Sequence, residues 1–351
     1  MPEPAPVPRS ERERIAALIA GPPGGRGVVL GPGDDAAVLT LGDAARDELV
    51  ATTDTFVEGQ HFRRELLEPA QVGARLAAAN LSDLAAMAAT PRWALVSLVV
   101  PPSWSAAECE ALERGCAESL ARAGAAIVGG NLASGTEQMV ATLSLVGVVA
   151  RGRAWTRGGG KPGDVLAVTG VPGSAAAALA LALARTPPGW TGVPAELARA
   201  FVSPSSRVSL AAALAAAGGV HAAIDLSDGL AGDLARLCEA SGLGAVLDEA
   251  RLPASEPLRA AARTLAASAL PTAGEAEALT RLRLGASDDY ELLLAIDLAR
   301  WADCERLARE AGAPLARIGE LTAEPGRVLK PVAGAERPLD EPGWDHFLAG
   351  G

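Results

Sequence analysis

The stretch AIDLSDGL, Ala223–Leu230, carries an apolar run into a helical pattern through two aspartates and a serine. The preceding HAAIDLS reads as a buried strand, and DGLAGDLARLCEA reads as an amphipathic helix. Asp225, Ser227 and Asp228 therefore stand at a strand-to-helix junction, and ligands of open α/β sheets collect at such strand ends. Four other acidic clusters share this character. GPGDDAAVL, Gly31–Leu39, sets Asp34 and Asp35 before a small apolar run, and ATTDTFVEGQHF places Thr52, Thr53 and Asp54 at a strand end with His61 seven residues on. NLSDLAAM holds Asp83 inside an apolar helix, and SDDYELLL places Asp288 and Asp289 immediately before a strand. Singly, each has an ordinary use as a turn, a cap or half of an ion pair. An unpaired carboxylate at Asp83, however, would cost several kcal/mol. Together, oxygen-only clusters flanked by Ser and Thr suit Mg²⁺, a hard ion held by one or two carboxylates plus substrate phosphates.

Outward from these clusters, strand and helix patterns alternate in both halves of the chain, which indicates an α/β fold of mixed layers. The 351 residues suit two domains. The turn-rich connection RGRAWTRGGGKPGD, Arg151–Asp164, marks the boundary, giving domains at 1–150 and 151–351. RWALVSLVV reads as a buried strand stopped by Pro101 and Pro102, and SAAECEALERGCAESLARAG as a serine-capped helix. ERERIAALIA reads as a short helix after a Pro-rich start.

A net charge of −11 argues against nucleic acid or an anionic membrane as the main partner. An acidic protein still binds an anionic nucleotide if cations bridge the two. Cys109, Cys116, Cys238 and Cys304 form no C-x-x-C pair, and reduced thiols in a cytoplasmic protein fit them. MPEPAPVPRSERER lacks the apolar core of a signal peptide, and the apolar stretches are too broken to span a membrane, so a soluble protein is expected.

Two glycine motifs fail on inspection. GGGKPGD, Gly158–Asp164, lacks the Ser or Thr that a P-loop needs after its lysine, and a strand pattern follows it. VTGVPGS does not fit G-x-G-x-x-G, and reads instead as a tight turn with Ser174 capping a helix. No H-E-x-x-H or G-x-S-x-G occurs.

Taken in order, GDDAAVL, TTDTFVEGQHF, NLSDLAAMAATP, GRAWTRGGGKPGD, DLSDGL, DYEL and the terminal GWDHF resemble the signatures of the thiamine-monophosphate kinases, relatives of aminoimidazole ribonucleotide synthetase. The resemblance runs from about Leu30 to Phe347. It implies a two-domain fold in which N-terminal sheets pair in a homodimer and ATP lies between that sheet and a C-terminal α/β domain. It also implies transfer of the γ-phosphoryl group of ATP to thiamine monophosphate, assisted by several Mg²⁺ ions. By motif, Asp35, Thr52, Thr53, Asp54, Asp83, Asn131, Asp225 and Asp228 would hold Mg²⁺. Gly130, Asn131, Arg157 and Ser227 would contact ATP, and His61, Asp288 and Trp344 would line the thiamine phosphate site. No side-chain nucleophile is implied, because phosphoryl transfer rests on positioning and charge neutralisation. Asp34 would fix the turn or support the ligands.

Two departures stand out. GGNLAS replaces the family's GGDTT, so Asn131 offers a carbonyl oxygen without charge, and ASDDYEL replaces GGEDYEL, so Asp288 has a shorter reach than glutamate. They leave room for a paralogue with another small phosphorylated substrate, or for a non-catalytic binder of thiamine phosphates or nucleotides. Turnover separates these. The reactive cysteines expected of selenophosphate synthetases and hydrogenase-maturation relatives have no match, since the first cysteine is Cys109 and the chain ends LAGG.

Overall fold

Along Asp47–Val57 (β3), side chains alternate: Glu48, Val50 and Phe56 are buried while Asp47, Thr53 and Thr55 are exposed, the signature of a sheet covered on one face. The structure is a computed structural model that describes residues 28–30, 34, 37–40, 46–135, 137–269 and 274–340. The expected N-terminal helix, Asp35 and the terminal GWDHF with Trp344 lie outside the described residues.

The first sheet adds Val28–Leu30 (β1), Ala37–Thr40 (β2), Thr90–Val100 (β4), Ala126–Ser134 (β5) and Val140–Ala150 (β6), in the order β1-β2-β3-β6-β4-β5. Its pairs are antiparallel except β4 with β5. The second sheet comprises Val165–Thr169 (β7), Val220–Leu226 (β8), Gly244–Asp248 (β9), Glu291–Ile296 (β10), Leu315–Thr322 (β11), Arg327–Lys330 (β12) and Arg337–Pro338 (β13). Its order is β13-β12-β9-β11-β7-β10-β8. Every residue of β7 is buried, as in a strand covered on both faces.

Pro69–Ala86 (α1) is the element the two sheets share. It touches β3, β4 and β6 of the first sheet and β8 and β10 of the second. Its run of Ala, Leu and Gly lets backbones approach closely, and thirteen of its eighteen residues are buried. Ala106–Arg122 (α2) crosses it so tightly that a Cβ on Gly73 would lie 1.9 Å from the Leu112 carbonyl, and one on Gly115 1.9 Å from that of Ala70. One apolar core joins Leu84 and Leu143 to Val165 and Leu292 across the two halves. A second core, around Leu166, Ile224 and Leu234, fills the far face of the second sheet.

The remaining helices among the described residues are Ser174–Leu183 (α3), Ala195–Val202 (α4), Val208–Ala217 (α5), Leu230–Ser241 (α6), Glu256–Ala269 (α7), Glu275–Leu284 (α8) and Trp301–Glu310 (α9). Two local expectations need correction. RWALVSLVV is buried on one face only: Trp93 and Leu95 are 48% and 51% exposed, because nothing among the described residues covers the outer face of β4. Ser174 does not cap α3. Its hydroxyl donates to the Val171 carbonyl, Gly173 takes the N-cap position, and Asp289 receives the backbone N–H groups of Gly173 and Ala175. A carboxylate from across the fold outcompetes the local hydroxyl at a helix N-terminus, where it also meets the helix dipole.

The α1–α2 crossing makes a direct stability prediction. Gly115→Ala should destabilise the protein by about 1–3 kcal/mol, the usual cost of overpacking. Chemical denaturation checks it; an unchanged midpoint would mean that the helices part freely.

Candidate active site

A cavity of about 540 Å³ opens where β3, α1, the β8–α6 junction and the loop before β10 converge. Asp54, His61, Asp83, Asp225, Ser227, Asp228 and Asp288, drawn from four separated motifs, all line it. Each stands where its element ends or turns, except Asp83, which α1 carries in directly, and Asp54, which the sequence places at a strand end but which lies within β3, because the strand stays paired through Val57. The opposite wall is apolar: α3 contributes Ala175, Ala176, Leu179 and Ala180, and Phe201 comes from α4.

The carboxylates are held in different ways. Asp83 Oδ2 accepts the hydroxyl of Thr52. Asp228 Oδ2 lies 2.5 Å from Arg236 Nη1, and the same guanidinium reaches Asp233 Oδ1 at 2.6 Å. Burial opposes the Arg236 charge, but Asp228 and Asp233 outweigh it and hold its pKa above the ordinary range. Asp225 is buried at the end of β8. Asp54 Oδ2 is buried with no hydrogen-bond partner, and burial raises its pKa to about 6. A buried carboxylate oxygen without a partner carries a substantial desolvation penalty. A hard cation would relieve it. Among the described residues, no three acidic, His or Cys side chains already form a metal cluster. Mg²⁺ in general keeps several waters and draws further ligands from substrate phosphates.

His61 stacks on Phe56, with ring centroids 5.6 Å apart, and its Nδ1 accepts the Val57 backbone N–H at 3.1 Å. The neutral imidazole then carries its proton on Nε2, as a donor. Asp288 pairs at 2.9 Å with Arg75 of α1, which is fully buried. Tyr290, on the same wall, adopts φ +52°, a strained region for a residue with a large side chain.

Other expected site residues stand apart from this cavity. Thr53 turns its hydroxyl toward Ser144 Oγ and the Leu143 carbonyl. Asp34 accepts the backbone N–H of Arg157 at 3.0 Å and lies 3.6 Å from its guanidinium, fixing the short 3₁₀ turn at Arg157–Gly159. Arg157 lies close enough to Arg236 to oppose its charge, so a basic edge borders Asp228. Gly130 and Asn131 lie on β5, within a larger groove of about 1040 Å³. Register connects Asp54 to Leu143, Val96 and Gly130 in turn, so Gly130 is three strands away, roughly 14 Å at the usual strand spacing. A Cβ at Gly130 would fall 2.0 Å from the Val96 carbonyl, which accounts for the glycine by strand packing.

Arg75 and Arg236 escaped the sequence reading. Arg75 interrupts the apolar pattern of α1 as Asp83 does, and the same cost of burying a charge could have marked it. Arg236 sits three residues after Asp233 on α6, an ordinary helical ion-pair spacing.

Comparison with known proteins identifies the family and the fold. Residues 33–149 match the family model of the N-terminal domain of AIR synthase related proteins, and residues 161–330 match that of the C-terminal domain. The chain is 35% identical over 320 residues to thiamine-monophosphate kinase of Escherichia coli strain K12, covering 91% of this chain and 92% of that one. It is 30% identical to the thiamine-monophosphate kinase of Bacillus subtilis, with 91% and 94% covered. Among solved structures, thiamine-monophosphate kinase of Stenotrophomonas maltophilia is 31% identical, covers 91% of this chain with 95% of its own, and has a TM-score of 0.71. AaThiL complexed with AMPPCP and TMP shares the fold at 24% identity and a TM-score of 0.77, covering 96% of this chain and 97% of its own.

The buried Asp54 predicts a pH signature in metal-free protein. The folded pKa of about 6 exceeds the ordinary 3.8, so the unfolded chain gives up its proton first. Stability is then lost as pH rises from about 4 to about 6, by on the order of 3 kcal/mol. Asp54→Asn should therefore melt above wild type at pH 7 in chelator, with the gap closing near pH 4. A constant gap across that range would show that Asp54 does not titrate as its burial requires.

Proposed function

The chain belongs to the thiamine-monophosphate kinase family, and we propose that it transfers the γ-phosphoryl group of ATP to the phosphate of thiamine monophosphate. In this reaction the bond between the β–γ bridging oxygen and the γ-phosphorus breaks, a bond from an acceptor phosphate oxygen forms, and ADP leaves. The unpartnered buried oxygen of Asp54, among carboxylates facing an apolar wall, is the observation that carries the reading.

Asp54, Asp83, Asp225 and Asp228 would hold Mg²⁺ at the cavity; the family resemblance adds Asp35, Thr52, Thr53 and Asn131, of which Thr53 turns away and Asn131 lies three strands off, so these two would not share that ion. Bound Mg²⁺ would neutralise the phosphates of the two substrates, which otherwise repel. The Thr52 hydroxyl orients Asp83, and Arg236 fixes Asp228. Arg157 with Ser227, Gly130 and Asn131 would bind the nucleotide. His61 would donate from Nε2 to the acceptor phosphate, and Asp288 and Trp344 would border the thiamine moiety. A phosphate acceptor is already largely ionised near neutrality, since its second pKa is about 6. No general base is needed.

The same reading covers assembly and location. Trp93 and Leu95 on β4, with Val128 and Leu132 on β5, form an exposed apolar area that supports pairing of two N-terminal sheets in a homodimer. Domains at 1–150 and 151–351 would each carry one sheet. No helix among the described residues is long and apolar enough to cross a membrane, and a cytoplasmic kinase is the proposal.

Purified protein with ATP and Mg²⁺ should release ADP with thiamine monophosphate and little with unphosphorylated thiamine. Asp83→Asn should lower kcat by roughly two orders of magnitude, the scale of losing a major electrostatic stabiliser. Equal turnover of thiamine would overturn the substrate assignment. Ligand-induced stabilisation without ADP release would instead reveal a binder.

A further inference from the structure

Arg75 sits on α1 two turns before Asp83, flanked by Gly73, Ala74, Leu76 and Ala77. Its side chain has no solvent exposure. One guanidinium nitrogen lies 2.9 Å from Asp288 Oδ2, and another donates to the Phe201 carbonyl. The guanidinium carbon stands 3.9 Å from the Phe201 ring centre and 5.5 Å from that of Tyr290. Asp288, Phe201 and Tyr290 all line the cavity, and they come from the C-terminal half, whereas Arg75 comes from the N-terminal half.

A buried guanidinium is tolerated only with a counter-charge and good hydrogen bonds. Here the counter-charge is Asp288, whose side chain is 47% exposed. Oδ2 is committed to Arg75, and Oδ1 carries no hydrogen bond among the described residues. The guanidinium fork and the two rings over which it lies allow it one orientation, and that orientation fixes the carboxylate. A short aspartate in this position cannot swing as a longer acid could.

We propose that Arg75 is a positioning residue for substrate recognition: it holds Asp288 aimed, with one oxygen left to accept from the substrate. This inference rests on the reading of the cavity as a thiamine monophosphate site. Arg75 touches no substrate itself, and it acts through Asp288 from outside the cavity surface.

The test is a double-mutant cycle of Arg75→Met and Asp288→Asn, with Arg75→Lys as the conservative variant, read in kinetics and in melting. Arg75→Met should raise the KM for thiamine monophosphate by roughly tenfold, the scale of one well-placed interaction, while the KM for ATP stays within about twofold. The double variant should be no worse than the worse single variant, because both remove one interaction. Arg75→Lys should recover most of the loss. In melting, which needs no substrate, Asp288→Asn should lower Tm in the wild-type background, where it strands a buried charge, and not in the Arg75→Met background. A lowered Tm with unchanged KM would make Arg75 a packing residue and overturn the proposal. Additive KM effects, or equal Tm losses in both backgrounds, would overturn it as well. Absence of turnover by the wild-type protein would instead overturn the functional reading, and the melting cycle would still decide whether Arg75 and Asp288 act as one unit.

Discussion

Helix α1 runs between the two sheets with a cation near its start and an anion near its end, and both point into an interior that would reject either alone. Arg75 is neutralised by Asp288, and Asp83 receives the Thr52 hydroxyl. The two charges are eight residues apart, or roughly 12 Å along a helix axis. A rigid element therefore sets the spacing between the acidic region beside Asp54 and the wall near Asp288. Because α1 packs on five strands of two different sheets, neither end can shift without disturbing both layers.

The acidic region is costly to assemble without cations, and the fold distributes that cost in three ways. Asp54 is driven toward its protonated form by burial. Asp83 is stabilised by a hydroxyl donor, and Asp228 by Arg236. None of these fully satisfies the group of carboxylates, since Asp54 Oδ2 has no donor at all. A divalent cation entering the cavity would release the proton on Asp54, so cation affinity and pH are linked at this residue. Strain held in this way lies at the site rather than in the scaffold, where β7 and the two apolar cores are closely packed.

Much of this was legible in the sequence because it depends on local pattern. Alternating strand and helix periods give the layered architecture, and the acidic clusters mark the cavity, although Asp54 lies within β3 rather than at its end. The parts that were not legible depend on distant partners. Asp288 and Arg75 are separated by 213 positions, and no local spacing couples them. Asp289 caps α3 from more than a hundred residues away, displacing the serine that local rules favour. The exposed face of β4 was hidden for a different reason: RWALVSLVV is apolar enough to be buried on both sides, and composition cannot tell that one face stays uncovered among the described residues.

The two walls of the cavity specify the kind of molecule that fits between them. Carboxylates and their flanking hydroxyls favour a phosphate only when cations intervene, so that side selects for an anion presented with metal. The α3 wall, built from Ala175, Ala176, Leu179 and Ala180, offers no charge and few polar atoms, so it selects for an apolar body. Small side chains there leave room for a flat ring, and Phe201 and Tyr290 add aromatic faces beside it. A substrate with a phosphate at one end and a heteroaromatic body at the other satisfies both walls at once. Inorganic phosphate would leave the apolar wall wet, and a neutral aromatic alcohol would leave the carboxylates without the charge that draws metal to them. Thiamine monophosphate has both ends, and on the proposed reading its phosphate would be an anchor as well as the acceptor.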